Sequence, residues 1–185
     1  MKTNRFVPPK LSTKSICAIA MLLAITAVLA IFFTFRIGTF IKIPMKFISV
    51  FITGVFFGPW IGGFVGAAGD ILNVLLMPSG PWIPLLTLGE FICGFIYGVF
   101  FYKADNDSSG YISKCIACTG IMFLIDMFYT TYVLASIGYF PGFTIAFEAR
   151  LVAGILKAII QFAVLAVFRK LLPRFRHEIN KLGIK

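Results

Sequence analysis

The chain has 185 residues, of which 59% are hydrophobic and 22 are Phe, and it carries a formal charge of +10. No soluble domain of this size can bury so much apolar side chain, so most of the chain must sit in lipid, and a soluble enzyme or binding module is excluded. The cations gather mainly in the two tails, which points to anionic lipid headgroups and away from nucleic acid, because no basic module stands apart from the apolar runs.

In chain order, residues 1–14 form a polar lead with Lys2, Arg5, Lys10 and Lys14, broken by Pro8-Pro9. The apolar run from Ile16 to Phe35 is of spanning length and no small-residue cleavage site follows it, so it reads as a first span and not as a removable signal peptide. The next break holds Arg36, Gly38, Lys42, Pro44 and Lys46, and the apolar run after it, Phe47 to Phe57, predicts a second span that is short or begins irregularly. A Gly58-Pro59-Trp60 turn opens the third span, Ile61 to Met77, and a Pro78-Ser79-Gly80-Pro81-Trp82 turn closes it. Along this span Gly62, Gly66 and Gly69 fall at i, i+4 and i+7, which leaves one face nearly bare backbone for a close neighbour. The fourth span, Ile83 to Tyr102, carries a second small-residue pair, Gly94 and Gly98.

The stretch Lys103 to Gly110 (KADNDSSG) is a solvated connection. The fifth span is predicted from Tyr111 to Ser136, a Gly138-Tyr139-Phe140-Pro141-Gly142 turn follows, and the sixth covers Thr144 to Phe168. From Arg169 onward the chain is basic and is expected to continue as a short surface helix. This is an all-α integral membrane protein, a six-transmembrane-helix bundle with three parts: an N-terminal segment at 1–14, a membrane domain at 15–170 and a basic tail at 171–185. Placing both tails in the cytoplasm collects twelve of the seventeen cations on that side, so an N-in/C-in topology in a cell membrane is expected. The exceptions are Arg36, Lys42, Lys46, Arg150 and Lys157. Three of them crowd the connection between spans 1 and 2, where they form an anion-attracting mouth.

Of the seven acidic residues, Asp105, Asp107 and Glu178 belong to solvated segments, whereas Asp70, Glu90, Asp126 and Glu148 lie in or at the outer end of a span. A carboxylate in a span is costly unless it faces a protein or water-filled interior, so each marks a candidate site. Asp70 and Asn73 on span 3 and Glu90 on span 4 flank the Pro78–Trp82 turn and are expected to face one outward cavity. Asp126 stands among Phe123, Phe128, Tyr129 and Tyr132. Arg150 and Lys157 share a helical face at i, i+7, and their alternative role is a purely structural pairing with Asp126. No catalytic or metal site is expected: the lone His177 sits in the basic tail, and Cys115 and Cys118 form a C-x-x-C at the start of an apolar span, where buried small residues are the better reading. There is no phosphate-binding G-x-x-x-x-G-K-[ST], so the chain cannot hydrolyse ATP itself.

On span 1, Cys17, Ala20, Ala24 and Ala27 recur at helix-seam spacing. With Ala20-x-x-x-Ala24, the run Phe57-Gly58-Pro59-Trp60-Ile61-Gly62 and the Gly66 and Asp70 that follow it, the chain resembles the substrate-binding S component of an energy-coupling factor (ECF) vitamin transporter, over Ile16 to Leu172. The runs Leu76-Met77-Pro78-Ser79-Gly80-Pro81-Trp82 and Gly94-Phe95-Ile96-Tyr97-Gly98, with Arg150 and Gln161, are most similar to its folate-specific branch. Three departures leave the vitamin open: Thr130-Thr131 stands where that branch has Asn-Thr, Ala153 where it has Lys, and no Pro precedes Gln161.

The resemblance implies a subunit that captures a vitamin from outside and delivers it by toppling when docked on a transmembrane coupling protein driven by two cytoplasmic ATPase subunits. The chain would have no cofactor of its own, ATP being used by the partners. Ala20 and Ala24 would form the docking face, and the segments 36–46 and 78–82 would gate the site. For a pterin-glutamate ligand, Asp70, Asn73 or Glu90 would read the donor edge of the heterocycle and Trp82 or Tyr129 would stack on it. Arg36, Lys46 or Arg150 would take the carboxylates, with Thr131 also in the pocket. Pantothenate, riboflavin, thiamine or a queuosine precursor remain alternative ligands. A stand-alone small-solute carrier and an intramembrane enzyme remain alternative functions.

Overall fold

The computed structural model describes residues 12–37, 41–77, 82–102, 108–139 and 142–181. Most of the polar lead, the turn residues 78–81, the hydrophilic stretch 103–107 and the last four residues of the tail lie outside the described residues.

Helix α1 (Thr13–Phe32) starts three residues earlier than expected, because the Ser12 hydroxyl accepts from Ser15 N and so caps it. It also stops earlier, because Thr34 begins a strand. The connection expected as an irregular break is an antiparallel hairpin, β1 (Thr34–Ile37) with β2 (Ile41–Pro44), whose register sets Arg36 directly opposite Lys42. Backbone polar groups near lipid must find partners, and two short strands rich in β-branched residues satisfy each other. The spanning part is helical throughout, as the composition requires.

Helix α2 (Phe47–Phe57) has 11 residues, which at 1.5 Å per residue is about 16 Å and only half of a hydrocarbon core about 30 Å thick. Lys46, between the hairpin and the start of α2, is drawn inside the bundle with 5% of its surface exposed. Gly58 turns the chain with φ 91°, a conformation glycine adopts freely, and α3 (Pro59–Leu76) follows. Helix α4 (Pro84–Phe101) is antiparallel to it. Helix α5 (Ser108–Leu124), a π-helical turn (Ile125–Thr130) and α6 (Thr131–Ser136) run on as one rod. The final helix, α7 (Phe143–Lys181), continues without a break through Pro173 into the basic tail. Five of these rods are long and apolar enough to cross a membrane, and with the short α2 they make the expected six.

The glycines on α3 and α4 set how closely the helices approach. A Cβ on Gly62 would lie 2.7 Å from the Gly94 carbonyl oxygen and 2.8 Å from Gly54 Cα, one on Gly66 would lie 2.6 Å from the Glu90 carbonyl oxygen, and one on Gly98 would overlap Pro59. All three helices therefore touch backbone to backbone, and both small-residue pairs bury an internal neighbour as expected. Gly69 meets the methyl of Thr26 and seats α1 on the same face. On α1, by contrast, Cys17, Ala20 and Ala24 point away from the bundle and only Ala27 of that seam is buried. The inner face of α1 is formed instead by Ser15, Thr26, Ala27 and Ala30.

Away from the hairpin the bundle is closed by an apolar plug. Phe51 is fully buried, with the rings of Tyr97, Phe101 and Phe168 edge-on to it at 5.2 to 5.5 Å, and Tyr111 Oη donates to the Leu165 carbonyl at 2.9 Å. Cys115 and Cys118 belong to this core as buried, free thiols, in line with their expected packing role.

Because the Gly62–Gly94 contact is made by backbone, which cannot step aside as a side chain can, Gly94→Ala should destabilise the bundle by about 2–3 kcal/mol. Gly120, whose added Cβ would meet nothing within 4 Å, should gain stability on replacement by Ala, by roughly 0.5–1 kcal/mol. Thermal denaturation of the two variants in detergent checks both: a lower midpoint for Gly94→Ala and an equal or higher one for Gly120→Ala.

Candidate functional site

Two groups of charged side chains face each other across the hairpin half of the bundle. The first is built on Lys46. Its Nζ lies 3.2 Å from Asp70 Oδ1 and 3.1 Å from Glu90 Oε1, so one cation carried in by the hairpin is shared by carboxylates from α3 and α4. Asp70 Oδ2 accepts from the Thr87 hydroxyl at 2.8 Å, and that hydroxyl in turn accepts from Trp82 Nε1 at 3.0 Å. Lys46 and Asp70 are nearly sequestered, while the Glu90 side chain keeps 34% of its surface exposed and is the partner most open to exchange.

The second group is built on Asp126. Its Oδ1 takes Arg150 Nη2 at 3.2 Å and Lys157 Nζ at 3.3 Å, and Arg150 Nη1 donates to Thr131 Oγ1 at 3.2 Å. Asp126 and Thr130 sit on the π-helical turn, where the one-residue widening re-aims side chains and where functional positions often cluster. Arg150 and Lys157 do pair with Asp126, as their shared face suggested. The first group has one cation and two carboxylates and the second has two cations and one carboxylate, so the facing walls carry opposite bias although the six charges sum to zero.

Between them lies a cavity of about 170 Å³. Lys46, Asp70 and Glu90 line one side and Asp126, Thr130 and Lys157 the other; Cys93, Tyr97 and Gln161 close its floor above the aromatic plug. Gln161 Nε2 donates to Tyr97 Oη at 2.7 Å, a buried amide–phenol pair that keeps the floor polar.

Of the predicted site residues, Lys46, Asp70 and Glu90 are on the cavity wall. Arg150 and Thr131 stand behind it and hold Asp126. Trp82 is half exposed and reaches the site through Thr87. Tyr129 braces α4 against the π turn: an edge of its ring lies against Gly89 and its Oη donates to the Leu85 carbonyl at 2.8 Å. Asn73 is also off the wall, since three residues beyond Asp70 it is rotated about 60° around α3 and does not line the cavity. The side chain of Arg36 lies outside the described residues.

The sequence marks Lys157 as a pairing partner of Asp126 and assigns no pocket role to Thr87, Thr130, Cys93, Tyr97 or Gln161. The polar members of that set read as ordinary span residues one at a time, and only the fold gathers them. Among the described residues no three His, Cys, Asp or Glu side chains are placed to hold a metal ion.

Residues 10–173 match the family described as ECF-type riboflavin transporter, S component. A folate transporter of Clostridium novyi is 44% identical over 63 residues, 34% of this chain and 37% of its own length. A folate transporter of Streptococcus mutans is 32% identical over 148 residues, 78% of each chain. The chain thus spans little over a third of the first relative and more than three quarters of the other. Among solved structures, a crystal structure of FolT bound with folic acid superposes with a TM-score of 0.73 at 30% identity, covering 85% of this chain and 92% of that one.

Removing a shared counter-ion from a desolvated cluster leaves like charges facing each other. Asp126→Ala should therefore destabilise the protein by about 3 kcal/mol, and adding Lys157→Met should recover part of that loss. Thermal melts of the single and double variants check this; a double variant less stable than the single would contradict the pairing described above.

Proposed function

The chain belongs to the S components of ECF-type transporters, the family of the matching model, and on that premise we propose that it captures folate or a closely related pterin from outside the cell. It is a multi-pass protein of the bacterial cell membrane, and its relatives are transporter components, not enzymes. The observation that carries the ligand reading is the pair of oppositely biased walls facing one cavity. A pterin offers amino and ring N–H donors along one edge, which suit the carboxylates of Asp70 and Glu90. A glutamate tail offers carboxylates, which suit Lys157 on the opposite wall. Riboflavin, the vitamin in the family's description, is uncharged and makes no use of the cationic wall.

On this reading the cavity opens toward the hairpin side, which faces outward with both termini inside. Delivery requires a transmembrane coupling protein and two cytoplasmic ATPase subunits that use ATP on the chain's behalf, so the chain carries no cofactor. Ala20 and Ala24, turned away from the bundle on α1, provide a small-residue surface on which a partner helix can lie closely.

Calorimetric titration of the purified chain tests the ligand. Folate should bind, riboflavin should bind at least a hundredfold more weakly, and Lys46→Ala should weaken folate binding by roughly tenfold to a hundredfold, as expected when a buried charge partner is lost. Tighter binding of riboflavin than of folate, or no binding of either, would overturn the proposal. Liposomes holding this chain alone should show no folate flux; flux without ATPase partners would favour a stand-alone carrier.

A further inference from the structure

The link from Trp82 through Thr87 to Asp70 has a feature that ligand contact alone does not require. Trp82 is 53% exposed, yet its indole N–H is turned inward to donate to Thr87 Oγ1 at 3.0 Å. Thr87 is 8% exposed and is absent from the cavity wall, although Leu86, Gly89 and Glu90 of the same helix line it. Its hydroxyl makes two bonds at once, accepting from Trp82 and donating to Asp70 Oδ2 at 2.8 Å. The other oxygen of Asp70 takes Lys46, two residues beyond the end of β2. The two oxygens of one carboxylate therefore tie together the end of the hairpin and the segment leading into α4.

We infer that Thr87 is a positioning residue for ligand exchange: by holding Asp70 and Trp82 together, it links the two chain segments that border the cavity and sets how fast a bound ligand leaves. The inference rests on the reading of the cavity as a vitamin site, and one of its consequences holds without any ligand. Without the hydroxyl, Asp70 Oδ2 loses its donor in a desolvated setting and Trp82 Nε1 loses its acceptor. Lys46 is then held by a carboxylate free to turn, and both segments loosen together. Capture and release both become faster, so the release rate changes more than the equilibrium affinity does. A residue that mattered only for stability would shift the melting point and leave that ratio unchanged.

The test compares Thr87→Val, which keeps the shape and loses the hydroxyl, with Thr87→Ser, which keeps the hydroxyl, in the full chain. In ligand-free protein, amide hydrogen exchange over residues 82–86 should accelerate in Thr87→Val and return to the parent rate in Thr87→Ser. With radiolabelled folate, release should quicken by roughly tenfold in Thr87→Val, the order expected for one charge-assisted hydrogen bond, with a smaller change in affinity and restoration by Thr87→Ser. If Thr87→Val does not fold, Trp82→Phe removes one of the two bonds from a half-exposed position and must also quicken both exchange and release. Unchanged exchange at 82–86 and unchanged release in a folded variant would overturn the inference. Failure of the parent chain to bind folate would instead overturn the vitamin reading, and the exchange measurement would still decide the role of Thr87.

Discussion

A charge taken out of water must meet an opposite charge or shed its own, and Lys46 is where this protein meets that requirement first. The lysine is nearly buried in a bundle made largely of apolar side chains, and Asp70 and Glu90 each place an oxygen within 3.2 Å of it. Lys46 stands two residues beyond β2 and just before the short α2, so the hairpin's return delivers it to the two carboxylates on α3 and α4. The polar half of the bundle follows from this one insertion.

Bringing the two carboxylates to a single lysine is a problem of helix spacing, and glycine solves it. Gly66 lies one turn before Asp70 and meets the backbone carbonyl of Glu90 itself, so α3 and α4 are in backbone contact beside the acidic pair. Gly62, Gly54 and Gly94 make the same kind of contact one turn deeper, toward the plug around Phe51. The close-packed end and the polar end of α3 are thus one device: backbone contact sets the spacing, and the spacing decides which charges share a partner. Across the cavity the π turn plays the corresponding part for Asp126, with Tyr129 and Thr131 fixing the widened turn against α4 and Arg150.

The membrane class, the helix order and the close glycine face were legible because they are carried by composition and by spacing along one helix. Asp70, Glu90 and Asp126 were legible as well, since a carboxylate in an apolar run stands out without knowledge of its neighbours. The hairpin was hidden by Arg36, Lys42 and Lys46, whose charge is the more conspicuous signal, although Thr34, Ile37, Ile41 and Ile43 are β-branched. The π turn leaves no mark in Ile125 to Thr130 that an ordinary helix would lack. Thr87 is unremarkable on its own, and Tyr97 and Gln161, although part of the family resemblance, become a floor only when α4 and α7 meet. Tyr129 has a packing role that no sequence pattern announces, its hydroxyl on the Leu85 carbonyl and its ring edge against Gly89.

Everything functional here depends on the charged groups of α3, α4 and α7 converging on one hollow that receives a polar ligand. The most direct measurement is an experimental structure of the purified chain with folate bound. The account predicts ligand density between Glu90 and Lys157, above the Tyr97–Gln161 pair and below the hairpin. Density elsewhere, or a cavity filled by repacked side chains with Lys46 or Asp126 turned toward lipid, would contradict it.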